Sequence, residues 1–335
     1  MMMRVSFIVV ALNAERCLPA LLSDLSAQTY PRGQLEAILV DSASQDGTLG
    51  VMEEYRKAAP FHVQVLRNPR GWLACGNNIA LRAATGDVVV RVDAHARIPA
   101  DFLEKNVEAL ERGEDIVGGS VLSGPPENAW GAVMRALDES RFCGGAAPFR
   151  NAGEARYVDT LAYAMYRRSV FDRVGFYDER LRRTEDNEMH YRMRKSGFRF
   201  RFCPEITSTH AARDTLRGHI RQKWGNGFWI GKTLKIEPRC FAPRHLMPAL
   251  FVFALFFSLL LLSFSRLPFL LLAALYSVFD VGFAVSAALR ARENRLITFL
   301  LLPFLFPLLH IVYGAGTICG LLSPVHPTET EDSHG

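Results

Sequence analysis

The stretch "GNNIALRAATGDVVVRVDAHARIP", Gly76 to Pro99, decides how this chain folds. Read with the preceding "LAC", its first half carries apolar residues at three- and four-residue spacing, the pattern of a helix with one buried face. The run of valines that follows, ending at Asp93, reads as a strand buried on both faces. It stops abruptly at Asp93, Ala94 and His95. A carboxylate and an imidazole one residue apart at a strand end are costly to place near a core, so something must reward them there.

The same alternation extends to either side. "RVSFIVVAL", "LEAILVD", "HVQVLRN" and "DIVGGSV" read as further strands, and "CLPALLSDLSAQ", "TLGVMEEYRKAA" and "ADFLEKNVEALERG" as the helices between them. Together they predict an α/β domain: a doubly wound, mainly parallel sheet with helices on both faces, over residues 1–213. Such sheets bind ligands at the carboxyl ends of their strands. The residues there are polar: Asn13 and Glu15 after Ala11, then Asp41, Asn68, and Asp93 with His95. No G-x-G-x-x-G follows the first strand and no G-x-x-x-x-G-K-[ST] occurs, so a nucleotide would be held by side chains. Asp41 is placed to accept hydrogen bonds from a ribose or a base edge. Asp46 reads either as a ligand contact or as the cap of the next helix.

At 335 residues with 49% apolar content, the chain exceeds one such domain. Apolar runs at Leu246–Ser265, Leu267–Leu289 and Leu296–Gly320 each match the roughly 20 residues of a membrane-crossing helix, which predicts three transmembrane helices over 245–322 and a flexible tail over 323–335. Arg239 and Arg244 precede the first run, and Arg290, Arg292 and Arg295 lie between the second and third. The other side offers only Arg266 and the acidic tail "HPTETEDSHG". By the positive-inside rule the long N-terminal region is cytoplasmic and the C-terminus outside, in a multi-pass inner-membrane protein. "MMMRVSFIVVAL" is a first strand rather than a signal peptide, since no small-residue cleavage site follows. Six cysteines with no paired spacing argue against a zinc site or a disulfide framework and fit a reducing cytosol.

From Arg180 to Arg244 sixteen Lys and Arg stand against six Asp and Glu, which accounts for the net charge of +5. "RGHIRQKWGNGFWIGKTLK" interleaves those cations with Trp224, Phe228 and Trp229, the composition of an amphipathic juxtamembrane segment over 214–244. The adjoining apolar runs favour a membrane over a nucleic acid as its partner.

"SFIVVALNAE", "ILVDSASQDGT", "GNNIALRAATGDVVVRVDAH" and "RRTEDNEMHYRMRKSGFRF" together resemble, in order and spacing, the family 2 glycosyltransferases of the GT-A fold, and most of all the membrane-anchored bacterial enzymes of succinoglycan-type exopolysaccharide assembly. The resemblance covers residues 4 to 240. It implies a donor site at Ala11, Asn13, Glu15, Asp41 and Asp93. Where the family carries D-x-D for a divalent cation bridging the donor diphosphate, this chain has D-x-H, so Asp93 and His95 become metal ligands, with His210 as a third. An imidazole ligand favours Mn²⁺ over Mg²⁺. The family's E-D pair falls on Glu185 and Asp186, with Asp186 as general base and Glu185 orienting the acceptor; the bland alternative is two acidic residues at a helix start. Asp159 and Tyr163 are further acceptor contacts, and Asp178 and Glu179 turn residues.

Aligned on Trp224, the Q-x-x-R-W signature of processive synthases meets Ile220 and Lys223, so it is not met. The expectation is therefore an inverting, metal-dependent enzyme that moves one hexose, glucose, from a UDP-sugar to a polyprenyl-diphosphate-linked saccharide. Transfer to a polyprenyl monophosphate and an inactive membrane scaffold are the rivals.

Overall fold

A computed structural model describes residues 2–126, 128–143, 153–210, 215–291 and 294–325. Arg292 and the acidic tail from 326 onward, both used above to orient the chain, lie outside the described residues.

In chain order the elements are β1 (Val5–Ala11), α1 (Leu18–Ser26), β2 (Leu35–Asp41), α2 (Thr48–Ala58), β3 (His62–Arg67), α3 (Leu73–Ala83), β4 (Val88–Arg91) and β5 (Ala96–Arg97). There follow α4 (Phe102–Glu111), β6 (Ile116–Ser123), α5 (Ala129–Glu139), β7 (Arg156–Val158), β8 (Met165–Arg167), α6 (Arg168–Val174), α7 (Glu185–Lys195) and β9 (Phe200–His210). The last helices are α8 (Leu216–Thr233), α9 (Met247–Leu260), α10 (Leu267–Arg290) and α11 (Arg295–Leu322).

The strands form one sheet in the order β3-β2-β1-β4-β8-β6-β9-β5, with β7 also paired to β9. Its first half is parallel, as the alternation predicts: β1 pairs with β2 and β4, and β2 with β3. Beyond β4 the sheet is mixed, because β8 enters antiparallel to both β4 and β6 while β6 and β9 run parallel. The mainly parallel sheet expected from the sequence is thus corrected to a mixed one. Strands β7 and β8, three residues each, are too short to show a period. Every residue of β2 is buried, which is why "LEAILVD" reads as a continuous run. Helices on both faces cover the sheet with two cores, one including Phe7, Leu21, Leu39 and Phe102, the other including Ile38, Leu81, Met189 and Phe202.

The chain divides into two units, one of residues 1–124 with 148–211, the other of 125–147 with 212–335. The sheet domain expected over 1–213 therefore lacks an internal stretch, since α5 belongs with the C-terminal helices. In that second unit Val133, Met134 and Leu137 of α5 share a core with Ala284 and Ala287 of α10 and with Leu302, Leu305, Phe306 and Leu309 of α11.

Three equal spans are not found. Among the described residues two helices, α10 and α11, are long and apolar enough to cross a membrane. The run expected as the first span folds as the shorter α9, extended by a 3₁₀ turn to Ser263. Nor does α8 lie free as an amphipathic surface helix. Its Gly227 and Gly231 lie against the backbone of Tyr313 and Thr317, and Gly316 and Gly320 of α11 against that of Trp224 and Phe228, so that a Cβ at any of the four would collide. Glycine on both sides lets two helix backbones approach this closely. Lys223, buried, donates to the Cys143 carbonyl at 2.6 Å.

Candidate active site

Chain geometry brings the strand-end residues together first. Ala11 stands opposite Asp41 in the parallel β1–β2 register, and the Ser42 amide donates to the Ala11 carbonyl at 2.8 Å. Beyond that point both strands open into loops that bind each other. The Gln45 amide donates to Asn13 Oδ1 at 2.8 Å, the Gly47 amide to Glu15 Oε2 at 3.0 Å, and the Glu15 amide to an Asp46 carboxylate oxygen at 3.2 Å. Asn13 and Glu15 thus spend side-chain acceptors on shaping the loop over Asp41. Asp46 also accepts from the Thr48 amide at 3.1 Å, one residue before the N-cap position of α2, which is Gly47. Asp41 is itself only 5% exposed, and Asn13 and Ala43 hold left-handed backbones at φ 51° and 58°. Such angles are uncommon for residues other than glycine and cluster where a site over-determines the backbone.

After β4 the chain turns at Asp93–His95, closed by the Ala96 amide donating to the Asp93 carbonyl at 2.9 Å. Asp93 is half-buried and His95 exposed. The antiparallel β5–β9 pair sets Ala96 opposite His210, so one sheet register carries His210 next to this turn. Among the described residues no three His, Cys, Asp or Glu side chains converge on a common point. The turn itself carries one carboxylate, Asp93, and one imidazole, His95.

Glu185 and Asp186 open α7, as expected, but they are not merely a helix start. The Asp186 carboxylate is bound by Arg91 of β4 at 2.7 Å, and Arg91 lies 4.0 Å from Glu185. Arg91 was missed in the sequence. The signal was available, since a cation inside a run of buried valines needs a buried anion. The side chains of Glu185 and Arg91 are 7% and 13% exposed, that of Asp186 34%, so Asp186 is the carboxylate an incoming molecule can reach. Burial, and then the adjacent Asp186 charge, push the Glu185 carboxyl up to about 7, against the pull of Arg91. Behind them His190 accepts or donates at 2.8 Å to Thr160 and 2.9 Å to Tyr166, and its burial drives its basicity down to about 4. Thr184, just before the pair, is left-handed at φ 64°, a strained geometry for a β-branched residue.

The remaining wall is the β3–α3 turn. Asn68 donates to Ser42 Oγ at 3.0 Å and to the Trp72 carbonyl at 2.8 Å. Its Oδ1, the Trp72 indole nitrogen and both amide atoms of Asn77 are buried without a hydrogen-bond partner. Unpaired buried polar atoms cost about 1–3 kcal/mol each. Glu179 lies in a turn, as expected, and from there also binds Arg70 at 2.6 Å and Asn78 at 2.8 Å. Asp178 is the turn residue expected, accepting from the Arg180 amide at 2.9 Å. Tyr163, a weaker acceptor candidate, is 6% exposed with φ 51°. Arg194 donates to the Asp159 carbonyl, so the backbone of that other candidate is held by α7.

A cavity of about 510 Å³ lined by Arg4, Arg32, Glu36 and His62 sits at the amino ends of the strands, the opposite edge from Asp41 and Asp93. Its buried carboxylate, Glu36, is already satisfied by Ser6 and Thr85.

The fold is that of the GT-A glycosyltransferases. The mannosyltransferase PcManGT of Pyrobaculum calidifontis, solved with GDP-Man and Mn²⁺, superposes with a TM-score of 0.62 at 21% identity, covering 95% of this chain and 88% of that one. The Staphylococcus aureus protein TarS (residues 1–349), solved with UDP-GlcNAc, gives 0.52 at 17% identity, covering 94% and 91%. Residues 6–175 match the model of glycosyl transferase family 2, and the chain belongs to that family. It is a glycosyltransferase. Over 325 residues, 95% of this chain and 97% of the other, it is 24% identical to a Methanococcus voltae dolichyl N-acetyl-alpha-D-glucosaminyl phosphate 3-beta-D-2,3-diacetamido-2,3-dideoxy-beta-D-glucuronosyltransferase. It is 26% identical to the succinoglycan biosynthesis protein ExoA of Rhizobium meliloti, covering 66% of this chain and 67% of that protein.

Proposed function

We propose that the protein moves a single hexose, with inversion, from a UDP-sugar to a saccharide carried on a polyprenyl diphosphate at the cytoplasmic face of a membrane. The observation that carries this reading is the Arg91–Asp186 contact: Arg91 stands two residues before Asp93, so it ties the carboxylate suited to the acceptor to the strand end suited to the donor. A lipid-linked acceptor is supported by the apolar α9, α10 and α11, and by the dolichyl phosphate substrate in the name of the Methanococcus voltae relative. The same helices support attachment to the membrane.

In this mechanism Asp41, with the unpaired Oδ1 of Asn68 beside it, binds the nucleoside end of the donor. Asp93 and His95 would hold a divalent cation, Mn²⁺ in preference to Mg²⁺ because of the imidazole, and when bound it supplies Lewis-acid neutralisation of the departing diphosphate. Asp186 accepts the proton of the attacking hydroxyl as its oxygen bonds to the anomeric carbon and the nucleoside diphosphate leaves. Arg91 holds that carboxylate in place, and Glu185, buried behind it, orients the acceptor.

Radiolabelled nucleotide sugars offered to the protein with extracted membrane lipids test the reading. The expected product is an oligosaccharide lipid longer by one sugar; a monosaccharide lipid would instead establish a monophosphate acceptor. Binding separates donor from cation. Asp93→Ala and His95→Ala should weaken UDP only when Mn²⁺ is present, and Asp41→Ala with or without it, by about 1–3 kcal/mol if a buried donor is left unpaired. Equal losses in all three variants would reject the assignment.

A further inference from the structure

Arg91 holds the carboxylate of Asp186, but one ion pair fixes a point and not a helix. Thr184, at the N-cap position of α7, makes no capping bond with its side chain, and its backbone is left-handed. The first turn of α7, which carries Glu185 and Asp186, therefore takes its position from what anchors the helix further along.

His190 is such an anchor. It stands four residues after Asp186, on the same face of α7 and one turn on. It is 1% exposed, and both ring nitrogens are engaged, Nδ1 with the Thr160 hydroxyl at 2.8 Å and Nε2 with the Tyr166 hydroxyl at 2.9 Å. Burial holds the ring uncharged, so one nitrogen donates and the other accepts, and each hydroxyl turns to suit. Phe200 of β9 packs edge-on to the imidazole, with ring centroids 4.7 Å apart.

The Tyr166 arm reaches the sheet beside Arg91. Strand β8 pairs antiparallel with β4 and sets Tyr166 opposite Val89, two residues before Arg91. Side chains two residues apart share one face of a strand, so Tyr166 and Arg91 rise from neighbouring strands on the same face. Val89 and Tyr166 share a core there with Met189 and Met193 of α7. Helix α7 is thus tied to two adjacent strands at two consecutive turns, by Asp186 to Arg91 and by His190 to Tyr166. Two attachments fix both the rotation of a helix about its axis and its slide along the sheet. One leaves a pivot.

We infer that His190, through its Nε2 bond to Tyr166, is the positioning residue of the base: it sets the rotation and height of α7 at which Asp186 meets both Arg91 and the attacking hydroxyl. The inference rests on the assignment of Asp186 as base and adds the element that aims it. A histidine serving stability alone would make the same bonds but leave a different signature when removed.

The test is a set of variants of the full chain, assayed with the nucleotide sugar found by the radiolabel experiment above and with UDP affinity measured alongside. His190→Ala should lower kcat by up to about 100-fold, the cost of a reacting group misplaced by about 1 Å, with donor KM and UDP affinity unchanged. His190→Gln places an amide near the Nε2 position and should recover most of that loss. His190→Asn places one near Nδ1, keeps only the Thr160 arm and should not. Tyr166→Phe removes the sheet-side hydroxyl at almost constant size and should reproduce the kcat loss, which keeps the test open if His190→Ala does not fold. Combined with Asp186→Asn, His190→Ala should cost nothing further, because no base is left to aim. Additive losses, or a loss that follows the folded fraction and is the same for Gln and Asn, overturn the inference. Full activity in both His190→Ala and Tyr166→Phe beside an inactive Asp186→Asn overturns it alone, whereas an active Asp186→Asn removes the base and the inference together.

Discussion

Asp186 is where the chemistry is decided. Asp186→Asn keeps the size and the Arg91 contact but cannot take up a proton, so turnover should fall by about 10²- to 10⁴-fold while UDP affinity holds. Near-normal transfer with saturating donor would remove the base from this position. Glu185 carries a second prediction, read from pH. Its carboxyl is raised to about 7 in the folded protein, so the fold binds a proton that the unfolded chain releases nearer its ordinary value of 4.5. The resulting stabilisation is complete below about 4.5 and is lost as pH rises through about 7. Glu185→Gln should therefore gain thermal stability relative to the parent between pH 5 and 8, and parallel melting curves across that range would refute the raised value. Both acidic residues were legible because a motif fixes their order. The contacts of Arg91 and Glu179 were not, because each is made to a partner far along the chain, at Asp186 and at Arg70.

Among the elements, those with a strong period were legible and those defined by tertiary contact were not. The valine run of β4 and the apolar spacing of α3 give themselves away; β8, three residues that change the sheet from parallel to mixed, does not. Helix α8 was read as amphipathic because its cations and aromatics are visible, whereas its purpose lies in the glycines between them. A bulky side chain at Gly320 would strike the Phe228 carbonyl and prise α8 from α11. Gly320→Leu should therefore lower the thermal midpoint in detergent, with a stability loss of about 1–3 kcal/mol or more for an overpacked contact. Gly282 on α10 has nothing near its missing Cβ and is the control, since Gly282→Leu removes a helix glycine without a collision. Equal effects of the two substitutions would mean that the α8–α11 contact contributes nothing.

At the scale of the molecule, the sheet domain was legible from its alternation, and the second unit only in part, because its two segments are separated in sequence by the rest of the sheet. The cores are separate too, one set built around β1 to β4 and the other around α5, α10 and α11. Met134→Asp, a fully buried charge on α5, should disrupt the helical unit while UDP binding at Asp41 survives. Loss of UDP binding in a protein whose sheet remains folded by circular dichroism would contradict that separation.

The discontinuous helical unit also constrains biosynthesis. Helix α5 leaves the ribosome well before α11 exists, and at about 5–20 residues per second the interval is on the order of ten to thirty seconds. During it Val133, Met134 and Leu137 have no α10 or α11 to cover them. A nascent chain of this kind exposes an apolar helix while its sheet is still incomplete, since β7, β8 and β9 also follow α5. Delivery to the membrane before synthesis ends, or a chaperone that shields α5 until α11 arrives, becomes a requirement of the fold's connectivity rather than an accident of its sequence.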